Sequence, residues 1–432
     1  MDITVILSLA VFVITFFFIL TEKLHRTTVG FFGAMVMVVL GSIFNFYHAE
    51  EALRSIDFNT IGLLGGMMII IAILERTGFF QYLGILTAKK TKGNMWMLVI
   101  ALGTVTTLLS TVLDNVTTII LIAPVTIVIT RMLKLNPAPI LMAEALLSDV
   151  GGVATLVGDP PNIIIGSAAG FSFNDFLLHS APVVIVAWAA TLITLRIVYN
   201  KELKQEPQNL EELEKLNPED SFEDKATLYK ILGVLALVIF LFFTHNLFNL
   251  APSVVALIGA TLALMLVSPT KDPQKILEKT ELSVLVFFAS LFVIVGGLEA
   301  TGVLEYIASF IVAGAAENLL WTAIALMWGA AIMSAIVDNI PFTVAMIPII
   351  AYLETQGINV HILWWALVLG VGFGGNGSPI GSTANVIIMS KSEQTDHPIT
   401  FGHWLKKGTP TMFICLFVGT AAFLLFGDYW LL

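Results

Sequence analysis

The sequence predicts an all-α polytopic membrane protein built as an inverted-topology repeat, and three observations predict it. Of 432 residues, 57% are hydrophobic and only 12% charged, where soluble domains carry about 25% charged residues. Most of the surface must therefore meet lipid. The chain also says the same thing twice: TTLLSTVLDNVTTIILIAPVT (106–126) recurs as AAIMSAIVDNIPFTVAMIPII (330–350). Ser110, Asp114, Asn115 and Pro124 fall on Ser334, Asp338, Asn339 and Pro348 at a constant offset of 224. LERTGFF (74–80) matches LEATGVL (298–304), GDPPNIII (158–165) matches GSTANVII (381–388), and FNDFLLHSAP (173–182) matches FGHWLKKGTP (401–410). A duplicated apolar chain with charge inside each copy is the signature of a secondary transporter. The third observation is the placement of lysine and arginine, which fixes how the segments cross.

Taken in order, apolar segments fall near 3–20, 27–47, 59–75, 96–133, 137–169 and 181–198, each judged against the roughly 20 residues a span needs. The second set falls near 228–246, 251–268, 282–299, 318–355, 360–390 and 409–427. Two units in each half are not simple spans. The units at 96–133 and 318–355 are long and turn at Asp-Asn, which predicts re-entrant hairpins. The units at 137–169 and 360–390 are interrupted by GGVATLVGDPPN (151–162) and GGNGSPIGSTAN (374–385), which predicts broken, partly unwound helices. The first repeat is 1–198, the second 228–432, and residues 199–227 form a polar, Glu-rich linker with a short helix expected at 209–216.

With re-entrant hairpins each half crosses five times, giving about ten crossings in all. Five is odd, so the second half enters upside down. One side then receives 20 of the 21 basic residues, and only Arg54 falls on the other. The positive-inside rule makes the crowded side cytoplasmic. The expectation is both termini outside, the linker cytoplasmic, and no basic n-region of a cleaved signal peptide. If the Asp-Asn units crossed completely, the asymmetry would collapse.

Ionisable groups inside a bilayer are costly and mark pathways. Asp114 and Asp338 stand at the hairpin turns among hydroxyls and amides: Ser110, Asn115, Thr117 and Thr118 in one copy, Ser334, Asn339 and Thr343 in the other. Carboxylate, amide, hydroxyl and carbonyl oxygens suit a hard cation such as Na⁺. The alternative reading is that each aspartate only caps the second arm of its hairpin. In the broken segments Thr155, Gly158, Asp159 and Asn162 match Ser378, Gly381, Ser382 and Asn385, with Asn376 and Thr383 adding polar groups in the second copy. Asp159 faces Ser382 in this correspondence and Asp149 faces Phe373. The first half is the more acidic, so its site is expected to be the main cation or proton site and the second-half site to contact substrate or a second, weaker cation. Glu75, Glu144, Asp149 and Glu299 are candidates for a proton relay. Glu75 could instead pair with Arg76, and Glu144 with Arg131 or Lys134. The seven histidines fall in loops or at segment ends and show no metal-ligand spacing. Cys415, alone, reads as a small apolar residue.

Through LLSTVLDNVTT, VGDPPNIII, SAIVDNIPFT and GGNGSPIGSTANVI the chain resembles the ArsB/NhaD permeases of the ion transporter superfamily. Within them it is most similar to the group of the melanosomal P protein and its bacterial relatives. The resemblance covers nearly the whole chain outside the linker. It implies an inverted-repeat fold with two re-entrant hairpins, a homodimer held by a scaffold region, and Na⁺ and substrate held at hairpin tips and unwound segments. Na⁺ would then sit at Asp114, Asn115, Asp159 and Asn162.

The expected function is secondary active transport in a plasma or bacterial inner membrane, by Na⁺/H⁺ antiport. A carboxylate can hold Na⁺ or H⁺ but not both, which is the minimal chemistry of exchange. The alternative is an arsenite, metalloid, carboxylate or other anion transporter coupled to H⁺ or Na⁺. No enzyme is expected: the two aspartates lie in symmetric copies of a transporter motif and lack a Gly-x-Gly-Asp context. No cofactor is called for beyond Na⁺ or H⁺ as coupling ions. The expected partners are lipid and a small ion or molecule, and a net charge of −10 argues against nucleic acid.

Overall fold

The structure is a computed structural model that describes residues 3–21, 23–268, 273–304 and 318–431, with Tyr306 and Ala308. Lys271, one of the basic residues counted above, lies outside them. The first repeat contains α1 (Ile3–Leu20), α2 (Arg26–Ile43), a short α3 (Ala49–Ser55), α4 (Phe58–Glu75), α5 (Phe79–Lys90), α6 (Met95–Ser110), α7 (Asn115–Met132), α8 (Ala138–Gly152), α9 (Pro160–Ala169) and α10 (Phe173–Val198). The linker carries α11 (Leu210–Lys215), where a short helix was expected. The second repeat contains α12 (Lys225–Thr244), α13 (Pro252–Val267), α14 (Gln274–Leu277), α15 (Leu282–Glu299), α16 (Leu319–Val337), α17 (Asn339–Thr355), α18 (His361–Gly374), α19 (Thr383–Ser392), α20 (Phe401–Lys407) and α21 (Thr409–Leu425). Among the described residues eight helices are long and apolar enough to cross a membrane, and four shorter apolar helices accompany them.

The boundaries follow local chemistry. Asn94 accepts from the amide of Met97 and starts α6, and Asp224 accepts from the amide and hydroxyl of Thr227 and starts α12 three residues before the expected start of the second repeat at 228. Gly408 separates α20 from α21 where α10 of the first half runs unbroken.

Side-chain contacts give the inversion. Thr27 donates to the Ser283 carbonyl at 3.0 Å, so α2 and α15 start together. The amide of Ser253 donates to Asn59 at 3.1 Å, so α4 and α13 start together. α4 begins just after α3, at the end where α2 has finished. Hence α13 starts where its counterpart α2 ends, and the two run in opposite directions. A long-range consequence is that the linker and the C-terminal turn lie at opposite ends of the helices. Gln208 donates to the Leu133 carbonyl and Glu223 to the Thr77 carbonyl at one end. Tyr429 donates to the Leu178 carbonyl at the other.

Two helices form the centre. Every residue of α8 is buried, and in α18 every residue from Ile362 to Gly374. From Ile362 on, α18 is apolar on all sides and α8 nearly so, broken only by Glu144, Ser148 and Asp149, and such helices go to the interior. The outer helices instead turn large apolar side chains outward, such as Phe32 on α2 and Ile185 and Ile197 on α10, as a lipid-facing surface requires.

Candidate functional site

Both apolar crossings at the centre stop and restart. α8 ends at Gly152 and α9 starts at Pro160; α18 ends at Gly374 and α19 starts at Thr383. Pro160 and Pro161 lack amide hydrogens and hold helical φ, so they can open a helix but not continue one. In the gap the freed carbonyls need donors. One asparagine per half supplies them. Asn162 donates to the carbonyls of Gly152 and Thr155 at 3.0 and 2.8 Å. Asn385 donates to those of Gly375 and Ser378 at 2.9 and 3.2 Å. Thr155 and Ser378 tie each gap to a hairpin, through the carbonyls of Thr111 and Ala335. The glycines are steric requirements: a Cβ on Gly158 would lie 2.6 Å from the Gly152 carbonyl oxygen and also strike that of Ser110, and one on Gly381 would lie 2.7 Å from the Gly375 oxygen.

The hairpins are docked onto these gaps by a serine each. Ser110 donates to the Ser148 carbonyl and Ser334 to the Val371 carbonyl, both at 2.8 Å. At the tips the asparagines do the work. Asn115 donates to Asp149 Oδ1 at 3.0 Å, and Ser382 donates to the same oxygen at 2.9 Å. Asn339 donates to both oxygens of Asp159 at 3.4 Å. Asp159 and Ser382 each stand just before a helix but cap neither α9 nor α19. Their side chains reach the other repeat instead. Each acidic cluster is therefore made by both halves.

Asp114 does cap its helix, as either reading allowed: it accepts from the Thr117 amide at 2.8 Å and the Thr117 hydroxyl at 2.6 Å. Thr118 and Thr343 return their hydroxyls to the carbonyls of Asp114 and Asn339. Asp338 is held otherwise. Its φ is +84°, where side chains are strained, at a cost on the order of 1–3 kcal/mol. Its carboxylate lies 3.5 Å from Arg26 and from the Thr383 hydroxyl. Arg26 was invisible as a site residue because it is 312 positions away in sequence, at the start of α2. The only sequence signal was a basic residue directly abutting an apolar segment.

The remaining candidates are placed elsewhere. Glu75 pairs with Lys279 at 3.8 Å, not with Arg76, and Glu299 closes α15 at the opposite end from the linker. Glu144 is buried and takes the Thr126 hydroxyl, with no bridge to Arg131 or Lys134 among the described residues. Asn376 donates to the Leu146 carbonyl at 3.4 Å and faces α8. The histidines are not all peripheral: His179 is inside α10, stacked on Trp365 and Tyr429, and His245 is buried against the Leu250 carbonyl. Cys415 is buried beside Thr191, as an apolar residue would be.

What the site can do follows from what is left unpaired. Among the described residues, Asn115 Oδ1, Asp149 Oδ2, Asn162 Oδ1, Asn376 Oδ1 and Asn385 Oδ1 are buried with no hydrogen-bond partner. All five are acceptor oxygens. A buried acceptor without a donor costs about 1–3 kcal/mol, and a cation or a proton removes that cost. Helix dipoles do not alter the sign. Four helices (α7, α9, α17, α19) start here and four (α6, α8, α16, α18) end here, so their terminal charges roughly cancel. Side chains set the balance: Asp114, Asp149, Asp159 and Asp338 against Arg26.

The relatives agree with a transporter architecture. The family model for citrate transporters, CitMHS, matches residues 16–370. The chain belongs to the CitMHS family. This CitMHS chain is 37% identical to a 46 kDa membrane protein of Mycobacterium leprae, covering 93% of this chain and 94% of that one. It is 31% identical to the P protein of Homo sapiens, over 93% of this chain and 57% of the human protein. Among solved structures, the YdaH transporter of Alcanivorax borkumensis aligns over 94% of this chain and 99% of its own with a TM-score of 0.57 and 11% identity. That likeness is one of fold. The CitMHS chain is thus a secondary transporter embedded in a lipid bilayer, similar to the P protein as its motifs indicated.

Proposed function

We propose that the chain exchanges Na⁺ for H⁺ across a plasma membrane, as an antiporter of ArsB/NhaD type. The observation that carries the reading is the set of buried, unpartnered oxygens facing the breaks, with Asp149 and Asn115 at its centre. Oxygen ligands of mixed charge suit a hard monovalent cation. Asp149 and Asp159 are the carboxylates that would take Na⁺ or H⁺ in turn. Rocking of the hairpins and broken helices as units would open the site to each side alternately. The basic-residue asymmetry supports termini outside and the linker inside. A homodimer is the assembly the ArsB/NhaD resemblance implies.

A second reading is favoured by the family's own description, citrate transport. A carboxylate substrate would then bind through Na⁺ held at the same oxygens, because Arg26 is the sole basic side chain that meets the four aspartates among the described residues and it is already paired. Purified protein in liposomes with an internal pH dye decides between them. Na⁺, Li⁺, K⁺, arsenite, dicarboxylates and citrate are added in turn. Proton movement driven by Na⁺ or Li⁺ alone supports antiport; movement only when citrate or another anion is present supports the second reading.

A further inference from the structure

The two hairpin tips carry the same Asp-Asn pair but hold it differently, and two residues account for the difference. The first is Pro341, which stands where the first repeat has Thr117. Thr117 gives Asp114 both its amide and its hydroxyl. Proline has neither, so Asp338 keeps only a long contact of 3.4 Å with the Ile340 amide. The second is Arg26. Aligning Gly33-Ala34 with Gly259-Ala260 puts Pro252 at the corresponding place in the second repeat. Among the described residues Asp114 makes no ion pair.

Arg26 is built in rather than draped over a surface. Its Nη1 donates to the Thr383 hydroxyl at 2.5 Å and lies 3.5 Å from Asp338 Oδ2. Its guanidinium lies 5.4 Å from the centre of the Phe287 ring, a cation–π contact. It lines a cleft of about 260 Å³ with Asp338, Thr383 and the end of α16. It sits over the second-repeat hairpin tip, beside the start of α19, against the one tip aspartate that Pro341 leaves without a strong cap.

We infer that Arg26 is a tethered cation that fills the second-repeat tip, so that each chain binds one Na⁺, at the Asp149–Asn115–Ser382 cluster, and not two. The inference rests on the cation reading above. The aspartate that proline frees from capping is the aspartate that the guanidinium neutralises. The unpartnered oxygens of Asp149 and Asn115 remain for the mobile ion.

Equilibrium binding of radiolabelled Na⁺ to the full-length protein in detergent, at alkaline pH, counts the sites. The wild type is expected to bind one Na⁺ per chain, and Arg26→Lys also one. Arg26→Gln should bind two, and Arg26→Gln with Asp338→Asn should return to one. Asp338→Asn alone should leave the count at one, which tests the same point if Arg26→Gln does not fold. Two sites in the wild type, an unchanged count in folded Arg26→Gln, or a site lost in Asp338→Asn would overturn the inference while leaving a cation transporter. No saturable Na⁺ binding in the wild type would remove the cation reading and the inference with it.

Discussion

Asn339 of the second repeat donates its amide to Asp159 of the first. Asn115 of the first repeat meets Ser382 of the second through the shared oxygen of Asp149. The two repeats therefore exchange contacts at the centre, and neither half contains a complete site. A ligand that binds there holds both hairpins and both broken helices at once, which is how a small ion can bias the position of large elements.

Asp149→Asn keeps the size and the hydrogen bonds from Asn115 and Ser382 but removes the charge. The expected result is a rise of roughly 10–100-fold in half-saturating Na⁺, about 1.4–2.8 kcal/mol, with unchanged detergent stability. Transport assays across a Na⁺ series measure it. An unchanged Na⁺ dependence would make Asp149 a structural residue.

Asp159→Ser gives the first repeat the residue of the second and should also weaken Na⁺ dependence and shift the pH profile, because Asn339 then faces a neutral partner. Ser382→Ala removes one donor to Asp149 and should have the smaller effect. A larger effect from Ser382→Ala than from Asp159→Ser would mean the charge at 159 is a matter of packing.

Asn162→Ala and Asn385→Ala each remove an amide that serves two carbonyls of an unwound stretch. Each should lose on the order of 1–3 kcal/mol, read as a lower thermal midpoint. Gly158→Ala and Gly381→Ala should do worse, since the new methyl meets backbone on two sides. Gly233→Ala, with nothing within 4 Å, is the control and should be neutral or slightly stabilising.

Topology has its own test. Leu210→Cys in a Cys415→Ser background should resist membrane-impermeant labelling of intact cells and react after lysis. Labelling in intact cells would put the linker outside.

Much of the fold was legible because its signals are local and repeated. The Asp-Asn turns, the glycine-rich breaks and the parity of the crossings can all be read along one strand of sequence. The pairing between halves was not. Which asparagine reaches which aspartate depends on how hairpins and half-helices cross, and a constant offset between copies says nothing about contacts between them. Ser382 is the repeat counterpart of Asp159, and that correspondence gave no hint that its hydroxyl donates to Asp149. Arg26 was missed for the same reason. Pro341, by contrast, was in plain view opposite Thr117, and its missing amide already implied that the two aspartates could not be capped alike.

In the proposed exchange, Na⁺ and H⁺ compete for one set of buried carboxylates. Proton release on Na⁺ binding tests it most directly, measured with purified protein in weakly buffered solution near neutral pH. The wild type should release protons in proportion to Na⁺ bound, its apparent Na⁺ affinity should fall as pH falls, and Asp149→Asn should release far fewer. Saturable Na⁺ binding with no proton release and no pH dependence would contradict the account.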